Sequence, residues 1–242
     1  GGAYLRNIIS DFNGEVRLEW VQLPRFGPQP MVQASPIYWF NPLLNYQFFM
    51  VPGILVILVT MVGAFLAALN IVKEKEIGTI ELINVTPIRK HQFILGKLIP
   101  FWVLGLVVLS FGLLLARLFY GIIPEGSLLT VYLFAVVYLL AILGLGLLVS
   151  TYTETQQQAM LISFFMMMVF ILLGGLYTSI DSMPRWAQIF TKFNPVTYFI
   201  EVMRMVVLKG SNIHDIRYHL LTITGFGIVF NGWAIINYKK RS

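Results

Sequence analysis

The chain has no cysteine, which excludes disulfides, thiolate metal sites and thiol nucleophiles and leaves its redox compartment open. Charge is scarce as well: Asp, Glu, Lys and Arg make up 12% of the 242 residues, where a soluble domain carries about a quarter. No stretch matches the phosphate-binding loop G-x-x-x-x-G-K-[ST]; Gly96-Lys97 is followed by leucine, so the chain cannot hydrolyse nucleotide alone. H-E-x-x-H and G-x-S-x-G are missing too, which removes the common zinc-hydrolase and serine-hydrolase frames. What is plentiful is apolar: 57% of residues are hydrophobic and the mean hydropathy is +0.77, a membrane composition. A formal charge of +6 would suggest nucleic acid in a soluble protein. Here the basic residues sit mostly in loops, where anionic headgroups account for them, and no RNA- or DNA-binding motif is present.

A bilayer core about 30 Å thick needs roughly 20 apolar residues in a helix. Five segments qualify: Phe48–Val72, Leu98–Ala116 ending on the snorkelling stem of Arg117, Ser127–Ser150, Gln158–Ile180 and Tyr218–Tyr238. The last is diluted by His219, Asn231 and Asn237 but closes on Tyr238-Lys-Lys-Arg241, an aromatic-then-basic interfacial anchor. Backbone groups must be satisfied internally in lipid, so the expected fold is an all-α polytopic membrane protein with five spans. Residues 1–45 are polar and rich in turn formers (Pro24, Gly27, Pro28, Pro30), and read as the end of a soluble domain and a lead-in. The opening Gly1-Gly2-Ala3 lacks a methionine or signal peptide, which suggests the C-terminal part of a longer polypeptide.

Two connections stand out. Lys73–Lys97 is a charged island of about two dozen residues, far longer than a turn between spans requires. Within it Glu74, Glu76 and Glu81 alternate with Ile77, Ile80, Leu82 and Ile83, a half-acidic, half-apolar helix that either meets a partner or is simply solvated. The 184–210 connection carries two amphipathic stripes. The first lies in Pro184–Phe193; the second is Val196, Phe199, Ile200, Met203 and Val207, with Glu201 and Arg204 on the opposite face. Both read as short helices lying in the interface or dipping into it.

The spans hold little chemistry. The first, third and fourth have no Asp, Glu, Lys or Arg in their cores, which argues against an ion-coupled carrier that powers itself. His214, Asp215 and His219 are only a weak metal suggestion, and surface histidines are the plainer account. Phe164, Phe165, Met167, Met168 and Tyr177 of the fourth span either line a pathway for an apolar cargo or form ordinary lipid-facing and packing surface. Gly144 and Gly146, with Gly174-Gly175, are read as sites of close helix approach.

The island resembles the signature of type-2 ABC exporter permeases, carried by Lys73-Glu-Lys-Glu-Ile-Gly-Thr-Ile-Glu-Leu82 with Thr86-Pro87, Gly96-Lys97 and Pro100. Asn41-Pro42 with Val51-Pro52-Gly53 and Phe193-Asn194-Pro195-Val196-Thr197-Tyr198 fit the same family, so that the likeness covers about residues 36–242. The resemblance implies six spans per subunit, of which these five would be the second to sixth, and residues 1–45 the end of an extracytoplasmic domain. It also implies a cytoplasmic coupling helix around Glu74–Leu82 that seats in a separate ABC ATPase. Lys73, Glu74, Glu76, Gly78, Thr79, Glu81, Leu82, Thr86 and Pro87 would form that coupling element. ATP and Mg would be bound by the ATPase and no cofactor by this chain. A second permease subunit, identical or closely homologous, would complete the transporter in a bacterial inner membrane. Phe193, Asn194, Pro195, Tyr198, Glu201 and Arg204 would belong to a re-entrant segment capping the outer end, and cargo of hydrophobic or amphipathic character would leave outward. The alternatives are a membrane scaffold or assembly subunit without transport, and a lipid-acting enzyme, for which no clustered nucleophile or metal site is visible.

Overall fold

The computed structural model describes residues 2–20, 46–78 and 90–237. The chain divides into two units, 1–37 and 38–242. The first holds α1 (Gly2–Trp20), an element the sequence reading did not assign; Ile8 and Phe12, four residues apart, are exposed on it. Every regular element among the described residues of the second unit is helical.

Five helices there are long and apolar enough to cross a membrane. They are α2 (Tyr46–Ile77), α3 (Lys90–Tyr120), α4 (Leu128–Tyr152), α5 (Gln156–Leu173) and α8 (Arg217–Asn237). Between α5 and α8 lie the short α6 (Arg185–Thr191) and α7 (Pro195–Lys209). The all-α, five-span expectation is met, with three boundary corrections. A helix does not stop where hydrocarbon stops, so α2 runs on through Lys73–Ile77 and α3 begins at Lys90 rather than Leu98. The fourth span ends at Leu173, not Ile180, because Gly174 closes the helix and Gly175 turns left-handed at φ 75. Leu176 and Ile180 keep the following stretch apolar enough that hydropathy alone does not mark the stop.

α4 is the central post. Of its most apolar 18-residue window 72% is buried, against 50% for α2, 22% for α3, 17% for α5 and 11% for α8. Phe134, Tyr138, Leu139, Ile142 and Leu147 of α4 are fully buried. The remaining helices pack on this post and on α2, with α8 lying along α4 and α7 wedged against both. Glycine sets two of these approaches. A Cβ at Gly146 would fall 2.6 Å from the Ala64 carbonyl oxygen and 3.2 Å from the Ala67 Cβ. One at Gly144 would fall 2.4 Å from the Asn231 Nδ2. That amide donates to the carbonyls of Leu140 (2.9 Å) and Gly227 (2.8 Å), so the residue that diluted the last span satisfies itself where α8 meets α4.

α2 is irregular at its middle. Met61–Leu66 forms a π-helical turn. Just before it the Thr60 hydroxyl donates to the Val56 carbonyl (2.6 Å) and meets the Tyr138 hydroxyl (2.6 Å). A hydroxyl bonded back one turn competes for the carbonyl that the helix ladder uses, a local cause for such a widening. Gly63 and Ala64 of the widened turn are buried, and Gly63 sits against Ile142 of α4. Branching the glycine contact tests this interface: Gly146→Val should lower stability by about 1–3 kcal/mol, read as a fall in the thermal unfolding midpoint in detergent, with Gly225→Ala, where a Cβ meets nothing, near neutral.

Candidate functional site

Alternating spans place the 77–90 connection, the 152–156 turn and the end of α8 on one side, and the beginning of α2 with 174–216 on the other. Both ends gather polar side chains, and in both the side chains serve helix termini.

At the first end α2 projects past the bilayer. Its 32 residues extend roughly 48 Å at 1.5 Å per residue, so the last turns stand in the aqueous phase. The helix stops at Gly78 (φ 82), whose N–H bonds the Lys75 carbonyl at 3.2 Å. A glycine tolerates this left-handed position where a Cβ would strain it. Three consecutive residues in the final turn then reach three different helices. Glu74 pairs with Lys97 of α3. Lys75 donates to the carbonyls of Ser150 and, at 3.0 Å, Thr153, at the C-terminus of α4. Glu76 accepts from the Gln156 backbone N–H (3.0 Å) and Nε2 (2.9 Å), at the first residue of α5. The signs match the helix ends: a cation on exposed carbonyls, an anion on exposed amides. Thr155 adds an N-cap, its hydroxyl accepting from Gln158 N at 3.3 Å.

This corrects the expectation of one helix around Glu74–Leu82. Glu74 and Glu76 belong to the end of the first span and point at neighbouring helices of the same chain, while Lys73 is exposed. The physical reason is the left-handed stop at Gly78. Thr79, Glu81, Leu82, Thr86 and Pro87 lie outside the described residues. Lys75 was missed by the sequence reading; its signal was the short Thr153-Glu-Thr155 turn, whose helix ends need charges of opposite sign.

At the other end, Asn194 caps α7, its Oδ1 accepting from Val196 N (3.0 Å) while its Nδ2 donates to the Phe170 carbonyl of α5 (2.7 Å). Pro195 occupies the first turn, where a missing N–H costs nothing. The expected stripe Val196, Phe199, Ile200, Met203 and Val207 is buried throughout. Phe199 stacks on Phe134 (5.4 Å) and on Tyr138 (4.4 Å). Tyr138 is ten residues into α4, about 15 Å along its axis, so α7 dips deeply instead of lying flat. Tyr198 donates to the Lys192 carbonyl at 2.9 Å, and burial, reinforced by Tyr218 and Glu201, raises its phenol pKa.

Arg204 is the main correction here. It was placed on the polar face with Glu201; it is buried instead. Its Nη1 and Nη2 donate to the carbonyls of Gly175 (3.0 Å) and Leu176 (3.3 Å), just beyond α5, and its guanidinium lies 3.6 Å from the Phe49 ring centroid. Burial lowers its pKa to about 10, with Glu201 opposing, so it remains a cation at neutral pH. Glu201 pairs with His219 instead, at 3.2 Å. Phe193 is exposed. No three metal-ligating side chains converge among the described residues.

The five side chains weighed for a pathway do not share a face. Phe164, Phe165 and Met168 of α5 and Tyr177 after it are exposed, whereas Met167 is 5% exposed and part of the core.

These features define a polytopic α-helical membrane protein whose charges are concentrated at its two aqueous faces. The model of the ABC-2 family transporter proteins matches residues 15–236, and the chain belongs to that family. It is 31% identical over 214 residues to the probable multidrug ABC transporter permease YbhS of Escherichia coli K12, covering 88% of this chain and 57% of that protein. It is 33% identical over 210 residues to the probable multidrug ABC transporter permease YbhR of the same organism (87% and 55%). To the inner membrane transport permease YhhJ it is 28% identical over 246 residues (99% and 63%). The chain thus spans between 55% and 63% of the length of these curated relatives.

Arg204 supplies a direct test of this second end. Arg204→Met should cost about 2 kcal/mol by leaving two carbonyls without a charged donor, and Arg204→Lys should recover less than half, because one ammonium cannot reproduce the fork and the stacking. Thermal unfolding of the three proteins in one detergent reads both numbers.

Proposed function

We propose that this chain is the membrane-spanning part of an ABC exporter permease, moving a hydrophobic or amphipathic cargo outward with energy from a separate ATP-hydrolysing subunit. The observation that carries the reading is α2 itself. In a chain of the ABC-2 family, this span continues past the bilayer, stops at Gly78 and hands over to Thr79–Pro87. That segment, which includes Glu81, Leu82 and Thr86-Pro87, is the docking element for the ATPase. Its side of the membrane is then the cytoplasm of a bacterial inner membrane, and the α6–α7 segment caps the outer end.

A second subunit covers the outward faces of α2 and α5, where Ile54, Leu58, Met61, Phe164, Phe165 and Met168 are exposed. Phe164, Phe165, Met168 and Tyr177 are then available to cargo between the two copies, and Met167 is not. The chain binds no nucleotide; ATP and Mg belong to the partner. The ATPase drives the transport cycle by favouring one arrangement of the permease over another. Names of relatives that include "multidrug" accord with an apolar cargo.

Co-purification of the full-length protein with its candidate ATPase tests this. Glu81→Arg should reduce the recovered ATPase about tenfold, the equivalent of roughly 1.4 kcal/mol, with folding and oligomeric state unchanged. Undiminished recovery would place the contact elsewhere, and a wild type that retains no ATPase would favour a membrane scaffold.

A further inference from the structure

Glu74, Lys75 and Glu76 hold three helices from one turn of a fourth, and the Lys75 and Glu76 contacts differ from an ordinary surface ion pair. Both reach the two helix termini that meet in the Thr153–Thr155 turn. The Lys75 ammonium reaches the Ser150 and Thr153 carbonyls, and the Glu76 carboxylate reaches the Gln156 N–H and side-chain amide. Exposed ion pairs are weak because two long side chains must be ordered against each other. Here each charge meets groups already fixed by a helix and left unpaired by its ending. The two contacts also oppose each other in sign along one short connection, so the turn is held between a cation and an anion from adjacent residues.

We propose that Lys75 and Glu76 act as a clasp that fastens the Thr153–Thr155 turn to the end of α2, so that displacement of the segment following Gly78 moves α4 and α5 together with α2. This rests on the reading that the segment following Gly78 docks on an ATPase. Both are positioning residues: they touch neither nucleotide nor cargo. Only Ile77 and the left-handed Gly78 separate the clasp from the docking segment, so a push on that segment arrives at the clasp within two residues. Lys97, paired with Glu74, brings α3 into the same body.

Hydrogen–deuterium exchange decides the matter on the wild-type complex and on Lys75→Ala/Glu76→Ala. In the wild type the amides of Gln156–Gln158 should be slow to exchange, and nucleotide should change exchange along α5. In the double variant those amides should exchange about tenfold faster and the nucleotide-dependent change along α5 should disappear. Co-purification and basal ATP hydrolysis should stay within about twofold, since the docking segment is untouched. A merely structural role would lower the yield of folded complex without severing nucleotide state from α5 in the complex that survives. The conservative pair Lys75→Arg/Glu76→Asp should restore the response at least in part, and the isosteric Glu76→Gln should weaken it should the alanine variant fold poorly. The clasp is overturned if the nucleotide response of α5 persists in a folded double variant, or if the double variant releases the ATPase, which would make the pair part of the docking surface. Should wild type bind no ATPase, the transport reading fails on its own. Exchange at Gln156–Gln158 in the isolated protein then still judges the clasp, with equal rates in wild type and variant overturning it.

Discussion

Helix ends are the costly places in a bundle that lies in lipid, because the last carbonyls and first amides of each helix have no partner within it. In this protein charged side chains from elsewhere in the chain meet those ends, and the clearest beneficiary is α5. Its N-terminus receives the Glu76 carboxylate and the chain just past its C-terminus receives the Arg204 guanidinium. A helix of 18 residues is only about 27 Å long, short for a bilayer, so both ends lie near the boundary where water becomes scarce. Lys75, Glu76 and Arg204 are thus placed where helix ends need charge.

Around that constraint the architecture is simple. α4 fills the centre because its residues are apolar on all sides and because glycine lets α2 and α8 come close. α7 packs down to the level of Tyr138, where a hydroxyl pair with Thr60 and the ring of Phe199 tie α2, α4 and α7 into one core. α5 and α8 are left with broad apolar faces outward, as suits helices that meet lipid or a second subunit.

Much of this was legible in advance. Length and hydropathy gave five spans, and the stripe Val196 to Val207 gave α7 and its buried face. Gly144 and Gly146 were readable as contact points because glycine in an apolar helix is costly unless something approaches it. What escaped depends on partners distant in sequence. Arg204 sits at i+3 from Glu201, which invites a local pair, yet its carbonyls come from residues 175 and 176. Glu74 and Glu76 looked like an outward acidic face because their partners, Lys97 and Gln156, lie one and three connections further along the chain. The end of α5 escaped for a different reason: a left-handed glycine changes backbone direction without changing hydropathy.

The π-helical turn in α2 has a bearing on register. A single widened turn accommodates about one extra residue, and one residue in an α-helix corresponds to about 100° of rotation. Everything after Leu66 is therefore re-phased relative to the first half of the span. Glu74, Lys75 and Glu76 fan out from consecutive positions, and the three-way distribution of their side chains onto α3, α4 and α5 holds at only one setting of that angle. The irregularity at mid-membrane is in effect the azimuthal adjustment for a polar junction more than a full turn away: a change in the winding at residues 61–66 would aim the trio at the wrong neighbours.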